Sequence, residues 1–325
     1  GIVFLHTALS EAENQNTRML LERLMALVKK YDKPVAFYVS TSAQEVVNLK
    51  QIYPFPIFTQ VVETVRALEM SHASFTGRGR AHAGGEIAAF RVKKSKVRSL
   101  VGSAQAVGRD LLLSEALEVL EHYGIPTVRS VMAATVDEAR AAAEQMGYPV
   151  AVKIVAEQIS HKSDVGGVQL NLRNGPAVAA ACEDMLRRIQ KAYPQAKIDG
   201  VLVQPMITGG RELILGGRQD PQFGPVVLVG LGGIFVEVFE EVMVRVAPIS
   251  LDTAREMIDG LRGAAILKGA RGHKPADIEA LAQTLLRLSQ LLVDFPEIKE
   301  IDINPLRLFP ESEGCTALDA RIILQ

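Results

Sequence analysis

The stretch that most constrains this chain is a short apolar run with one lysine inside it, Pro149-Val150-Ala151-Val152-Lys153-Ile154-Val155. It is followed by a polar loop that ends in paired glycines, Ile159-Ser160-His161-Lys162-Ser163-Asp164-Val165-Gly166-Gly167-Val168. The run has the length and composition of a buried strand. Lys153 within it carries a charge that is costly to bury without an anionic partner. Val168-Gln169-Leu170 resumes the apolar pattern, so the loop joins two strands. Gly166 and Gly167 let the backbone take positive φ and approach a ligand closely. Successive backbone N–H groups in such a turn form a concavity for anions, and Lys153 and Lys162 add positive charge. The loop suits a polyphosphate, with the His161 imidazole as a phosphoryl acceptor. It reads equally well as a glycine hairpin with an incidental surface histidine.

A chain of 325 residues accommodates two or three domains at about 100–200 residues each. A net charge of −1 gives no overall pull toward nucleic acid or an anionic membrane. No apolar run approaches the roughly 20 residues of a membrane span. The two cysteines, Cys182 and Cys315, form neither a disulfide framework nor a zinc spacing, which fits idle thiols in a reducing, cytoplasmic setting. The opening Gly1-Ile2-Val3-Phe4-Leu5 lacks the charged flank of a signal peptide. It starts without a Met and inside a strand-like run, so the expectation is a piece of a longer protein.

Residues 1–75 alternate strand and helix signals. Ile2–Leu5, Pro34–Val39 and Pro56–Phe58 read as strands. Ser10 and Glu13 have capping-box spacing, and Leu20, Leu24, Leu27, Val28 and Tyr31 keep helical period behind them. Repeated β-α units imply a parallel sheet; three strands are about half of a doubly wound domain. Residues 76–100, opening with Gly77-Arg78-Gly79-Arg80 and closing with Arg91, Lys93, Lys94, Lys96 and Arg98, read as a solvated basic linker. A phosphate-contacting or RNA-binding arm is the other reading, without aromatic interleaving beyond Phe75 and Phe90.

From 101 to 325 the pattern is α+β. Leu113, Leu117 and Leu120 form a helix face ending at Gly124. Thr135 and Glu138 make a second capping box. Strands are expected at Gly200–Met206, Glu212–Leu215, Pro225–Val229, Val242–Val246, Ile301–Leu308 and Thr316–Ile322. Val242, Val244 and Val246 alternate with Met243 and Arg245, a strand with one buried face. Ile278, Leu281, Leu285, Leu288 and Leu292 give a long amphipathic helix.

Several features converge on nucleotide chemistry. Gln204 ends a strand at the Pro205 break and Glu212 starts the next. A hinge with exposed backbone groups, then a carboxylate, suits an adenine edge and a ribose. Asn304 and Asp319 lie on adjacent terminal strands, where their oxygens suit Mg²⁺, which takes one or two protein ligands when bound to nucleotide phosphates. Gly230-Leu231-Gly232-Gly233 is a second glycine turn near Glu237 and Arg245. Each has a plainer reading: a structural ion pair for Lys153, simple turns for Asn304-Pro305 and Gly230–Gly233.

In this order the features resemble the ATP-grasp part of the NDP-forming acyl-CoA synthetases, relatives of the succinyl-CoA synthetase β subunit. The motifs are His161–Val168, Gly230–Glu237, Arg245-Val246-Ala247-Pro248 and Leu267-Lys268-Gly269-Ala270-Arg271-Gly272. The resemblance runs from about Ser103 to Ile322, and residues 1–75 look like the tail of the family's CoA-ligase region. It implies an α/β chain: a partial doubly wound domain at 1–75, then a two-lobed ATP-grasp domain with lobes of roughly 101–203 and 204–325. It implies ATP or ADP with Mg²⁺ as cofactors. By resemblance Lys153, Gln204, Met206 and Glu212 match nucleotide-binding positions, with Gly166 and Gly167 in the phosphate loop. Asn304 and Asp319 match the magnesium ligands, and His161 the residue that carries phosphate near the nucleotide. Lys162, Glu237 and Arg245 fall around the phosphates. The family also needs a CoA-binding domain and an upstream phosphohistidine. Neither His6 nor His72 has that context, and His82-Ala83-Gly84-Gly85 is only a loose look-alike. CoA and the acyl substrate are therefore expected on another part of the protein, the chain should not complete the reaction alone, and no nucleic-acid or membrane partner is expected. A homo-oligomer is left open. The competing class is regulatory, a ligand-sensing synthetase-like region of a protein acetyltransferase.

Overall fold

The computed structural model describes residues 2–31, 33–82, 87–159, 162, 165–233, 242–269 and 274–325, with only the backbone from 73 to 82. The chain divides into two compact units, 1–84 and 85–325.

The first unit alternates β1 (Ile2–Thr7), α1 (Glu11–Tyr31), β2 (Val35–Ser40), α2 (Ala43–Ile52), β3 (Ile57–Phe58) and α3 (Val61–His82). The Ser10 box closes as its spacing predicts: Glu13 accepts from the Ser10 N–H at 2.9 Å and donates its own N–H to Ser10 Oγ at 3.3 Å. The strands form a parallel sheet in the order β1-β2-β3. Phe37 and Val39 of β2 are fully buried with Leu21 and Leu49, whereas Ile2 and Leu5 of β1 are exposed. The central strand is covered on both sides and β1 is not. The end of α3 carries helix into the glycine–arginine stretch read as linker.

The second unit opens with α4 (Lys94–Ala106) and α5 (Leu113–His122). A four-stranded antiparallel sheet follows, ordered β4-β7-β5-β6, from β4 (Val131–Ala133), β5 (Val150–Ala156), β6 (Val168–Leu172) and β7 (Ile198–Pro205). Helices α6 (Val136–Met146) and α7 (Gly175–Ala192) cover one face of it. A second antiparallel sheet is ordered β10-β9-β8-β11-β12, with β13 also paired to β11. Its strands are β8 (Arg211–Asp220), β9 (Gly224–Leu231), β10 (Val242–Val246), β11 (Ile298–Leu308), β12 (Cys315–Ala317) and β13 (Ala320–Leu324). Between them in sequence come α8 (Leu251–Asp259), α9 (Ala264–Leu267) and α10 (Ile278–Asp294). Asp277 caps α10, accepting from the Ala280 N–H at 3.0 Å, and Leu281, Leu285, Leu288 and Leu292 are completely buried against the second sheet. Each such leucine contributes about 1.5–3 kcal/mol of burial.

Three details depart from the sequence reading. Residues 94–100 are helix rather than linker, because Val97 is buried in the second sheet's core. Helices α4 and α5 pack with that same core, not with the first lobe: the Leu111 N–H donates to the Ile322 carbonyl and Tyr123 Oη to Asp294. The first lobe is thus the β4–β7 sheet with its two helices. Strand β10, expected to have one buried face, has none: Met243 and Arg245 are half-buried, with Met243 packed against the core, and Val242, Val244 and Val246 are 47%, 44% and 51% exposed. Both cysteines are free and buried. Among the described residues no helix is long and apolar enough to cross a membrane.

Candidate functional site

Every residue of β5 is buried, on both sides. Side chains alternate along a strand. Val150, Val152 and Ile154 enter the core under α6 and α7, while Val155 joins the core of the second sheet. Lys153 shares the face of Val155 and is only 7% exposed. Its Nζ donates to the Leu318 carbonyl at 2.7 Å and to Asp319 Oδ2 at 2.9 Å. Lys162, from the glycine loop, reaches the other oxygen, Oδ1, at 3.1 Å. Two lysines of one sheet therefore converge on one carboxylate of the other. Burial pulls the Lys153 pKa below the ordinary lysine value, and Asp319 works against that direction.

Asp319 is held by the middle of β11. The Asn304 N–H donates to the Asp319 carbonyl at 3.3 Å, and the Leu318 N–H to the Pro305 carbonyl at 3.0 Å. Asn304 is exposed. Proline is confined in sheets to edges and bulges, and Pro305 sits at a bulge, where the register against β8 shifts between Ile303 and Leu306. The extra residue changes which positions face inward: Ile301 and Ile303 are buried before it, Leu306 and Leu308 after it. Arg307 consequently falls on the side away from the core, opposite Glu212 of β8. Its Nη2 donates to Glu212 Oε1 at 2.7 Å and its Nη1 to the Gly209 carbonyl at 3.1 Å.

The glycine turn after β9 closes on the same carboxylate. The Gly232 N–H donates to the Glu212 carbonyl at 2.8 Å. Gly233 has φ +65°, and a Cβ there would lie 2.7 Å from Glu212 Oε2. The second glycine turn thus frames Glu212.

In the first loop, Gly167 is packed so tightly that a Cβ would stand 2.6 Å from Ile154 Cγ2. Its N–H donates to the Lys162 carbonyl at 2.6 Å, and its carbonyl accepts from the Ile154 N–H at 2.8 Å. This N–H, expected to face an anion, instead ties the loop so that Lys162 is aimed at Asp319. Gly166 has φ +67°, with Arg188 Nη2 at 3.5 Å from its carbonyl.

Gln204 closes β7, is 2% exposed, and donates from Nε2 to Ser130 Oγ at 3.0 Å. The Met206 N–H donates to the Pro149 carbonyl at 3.0 Å; that hinge group is engaged rather than free for an adenine. Arg245 is not brought to the site. It pairs across from Val227, which is buried in the core. Residues directly opposite share a face, so Arg245 lies on the core side of the sheet and its Nη1 donates to the Val244 carbonyl at 2.9 Å. His161 and Glu237, and with them 234–237 and 270–272 of the quoted motifs, lie outside the described residues. Arg307 was missed in sequence because its relation to Glu212 depends on the register after the bulge; a cation alternating with apolar residues was the available signal.

Comparison with known proteins identifies the domain that carries these residues. The ATP-grasp domain family matches residues 103–324, which span all the residues just described. The β subunit of acetate–CoA ligase (ADP-forming) I from Pyrococcus furiosus is 44% identical over 71% of this chain and 98% of that protein. The 4-hydroxybutyrate–CoA ligase (ADP-forming) of Nitrosopumilus maritimus is 43% identical over 73% of this chain but 34% of that protein. The chain thus spans about a third of the length of this relative. Among solved structures, the dinucleotide-forming acetyl-coenzyme A synthetase 1 of Ca. Korarchaeum cryptofilum has a TM-score of 0.61 at 40% identity, over 70% of this chain and 100% of that chain. That structure is a complex with coenzyme A and Mg-AMPPCP, with its phosphohistidine segment pointing towards the nucleotide binding site. The chain belongs to the ADP-forming acyl-CoA ligase family and carries its ATP-grasp domain.

Proposed function

We propose that this chain handles the nucleotide in an ADP-forming acyl-CoA synthetase: acyl-CoA, ADP and phosphate give carboxylic acid, CoA and ATP through a phosphohistidine relay. The observation that carries the reading is the convergence of Lys153 and Lys162 on Asp319 between the two sheets. A buried lysine and a second lysine held close together on one carboxylate of the opposite lobe gather the positive charge that nucleotide phosphates require.

In the proposed sequence, phosphate attacks the thioester carbonyl in a CoA-ligase part that accompanies this chain, releasing CoA and leaving acyl phosphate. A histidine there takes the phosphoryl group and releases the carboxylate. His161 receives it in turn, as neutral imidazole, a competent nucleophile near neutral pH. A terminal ADP oxygen then attacks phosphorus, the P–N bond breaks, and ATP leaves. Lys153 and Lys162 move from Asp319 to phosphate oxygens and offset charge on the group in flight. Glu212 accepts from ribose hydroxyls. Asp319 and Asn304 offer hard oxygens clipped together by backbone, a donor set that fits Mg²⁺ bound to a nucleotide. When bound, the ion neutralises phosphate charge.

Calorimetry on this chain tests the first half, with Mg·ADP binding expected at micromolar to millimolar concentration and no heat at millimolar nucleotide overturning it. With the CoA-ligase part supplied, His161→Ala should abolish acyl-CoA-dependent ATP formation and leave nucleotide affinity within a few-fold. Rapid quench should find acid-labile, base-stable phosphate on His161. Nucleotide binding without any phosphoenzyme would favour a sensor over a synthetase.

A further inference from the structure

We infer that Arg307 is a positioning residue for nucleoside recognition: it fixes the Glu212 carboxylate, and so sets the discrimination for the sugar of the bound nucleotide. The inference rests on the reading of Glu212 as a nucleotide-contacting group.

A glutamate at the start of a strand has freedom about three side-chain torsions, and freezing it on binding has an entropic cost. Glu212 has already lost most of that freedom. Arg307 holds Oε1 at 2.7 Å, the Gly233 backbone closes on the side of Oε2, and the Gly232 N–H holds the Glu212 main chain. The same guanidinium bonds the Gly209 carbonyl, in the segment joining β7 of the first lobe to β8 of the second. One rigid fork thus ties the carboxylate to the inter-lobe connection, which a lysine, with its compact ammonium on a flexible stem, does not reproduce. Arg307 Nε is buried and without a hydrogen-bond partner among the described residues. That cost is tolerated where the rest of the fork is held in place.

The geometry separates two halves of the site. Lys153, Lys162 and Asp319 address phosphate; Glu212 and Arg307 address the sugar. Asn304, beside Asp319, and Arg307 stand three positions apart on β11, about 10 Å of strand. Arg307→Met should therefore change how the chain treats the sugar without changing how it treats phosphate.

The test uses the full chain and three probes: ATP, 3′-deoxy-ATP and inorganic triphosphate, each with Mg²⁺. Wild type should bind ATP about tenfold more tightly than 3′-deoxy-ATP, the scale of one hydrogen bond to a charged group. Arg307→Met should reduce that ratio to about two, with triphosphate affinity unchanged; Arg307→Lys should lie between. In a Glu212→Gln background, Arg307→Met should have no further effect on the ratio, since the arginine acts through the carboxylate. Unchanged triphosphate binding also shows that the variant is folded. If wild type discriminates and Arg307→Met discriminates equally, the inference about Arg307 is overturned while the nucleotide reading stands. If wild type binds triphosphate but treats the two nucleotides alike, Glu212 does not read the 3′ hydroxyl and the inference falls, while the phosphate half of the proposed function stands.

Discussion

The two ion pairs of the site are alike in charge and opposite in construction. Glu212–Arg307 joins neighbouring strands of one sheet, in a register that β8 and β11 maintain over many residues. Lys153–Asp319 joins two different sheets, and Asp319 is shared with Lys162. A cross-strand pair persists as long as its sheet does. A pair across two lobes lasts only while nothing better enters between them. The first is preorganised for a ligand to use; the second occupies positions that a ligand must take over. Removing one partner of a buried pair is costly because it leaves the other charge uncompensated, so the two pairs should answer mutation differently.

Lys153→Ala should have the largest effect. It removes the most buried cation of the site and should weaken Mg·ADP binding by about 100-fold or more. Calorimetry at constant Mg²⁺ measures this, and a loss under threefold would mean that the buried lysine serves the fold alone. Asp319→Asn is more discriminating, because its sign should depend on the metal. Without Mg²⁺ the wild-type carboxylate competes with the nucleotide for both lysines. The variant should then bind metal-free ADP more tightly, by about tenfold. With Mg²⁺ it should bind more weakly than wild type, having lost a ligand. Equal weakening in both conditions would remove the distinction between a displaceable and a fixed pair. Gly233→Ala probes the fixed pair. It adds a methyl at a positive φ, beside Glu212 Oε2, at a conformational cost of about 1–2 kcal/mol. Nucleotide affinity should fall about fivefold to tenfold and triphosphate affinity hardly at all; a proportional loss for both would place the damage in the fold.

What was legible in the sequence follows the same division. A lysine inside Val150–Val155 announces itself, because an apolar strand has no other reason to carry a charge. The β-α alternation at 1–75, the capping boxes and the α10 stripe were legible because they are local. Relations that depend on register were not. Alternation showed that β10 has two unlike faces but not which one meets the core, since pairing with β9 decides that, and the inner face of Met243 and Arg245 is only half-buried. Arg245 was credited to the site on chain proximity to a glycine turn, whereas Arg307, distant in sequence from Glu212, was passed over. The bulge at Pro305 is what puts it there. Gly167 was read as a donor to phosphate, and its N–H closes the loop instead, a use that glycine content alone does not distinguish. Helices α4 and α5 precede the first lobe in sequence and pack on the core of the second, which no local pattern reveals.

The smallest expected effect concerns the unliganded fold. Burial holds the Lys153 pKa in the folded chain below its unfolded value, with the Asp319 attraction only partly offsetting it. Below the folded pKa the lysine is charged in both states and the burial cost is fully present. As pH rises through the folded pKa, the folded chain releases the proton while the unfolded chain keeps it. The unfolded state then binds more protons, so this group's contribution to stability rises with pH. The rise ends near the ordinary lysine value of 10.5, where both states are neutral. One proton limits the slope to about 1.4 kcal/mol per pH unit. Other lysines and the tyrosines titrate in the same window, so the readout is a difference: urea midpoints of wild type and Lys153→Met across the alkaline range below 10.5. Methionine keeps the apolar stem in the strand and removes the charge, leaving Asp319 to Lys162. The variant should be the more stable near neutral pH, with the gap narrowing as pH rises. A gap that stays flat up to 10.5 would mean instead that the attraction to Asp319 outweighs burial, since a raised folded pKa changes stability only above the ordinary lysine value, and that the pair between the lobes is as firmly built as the one within the sheet.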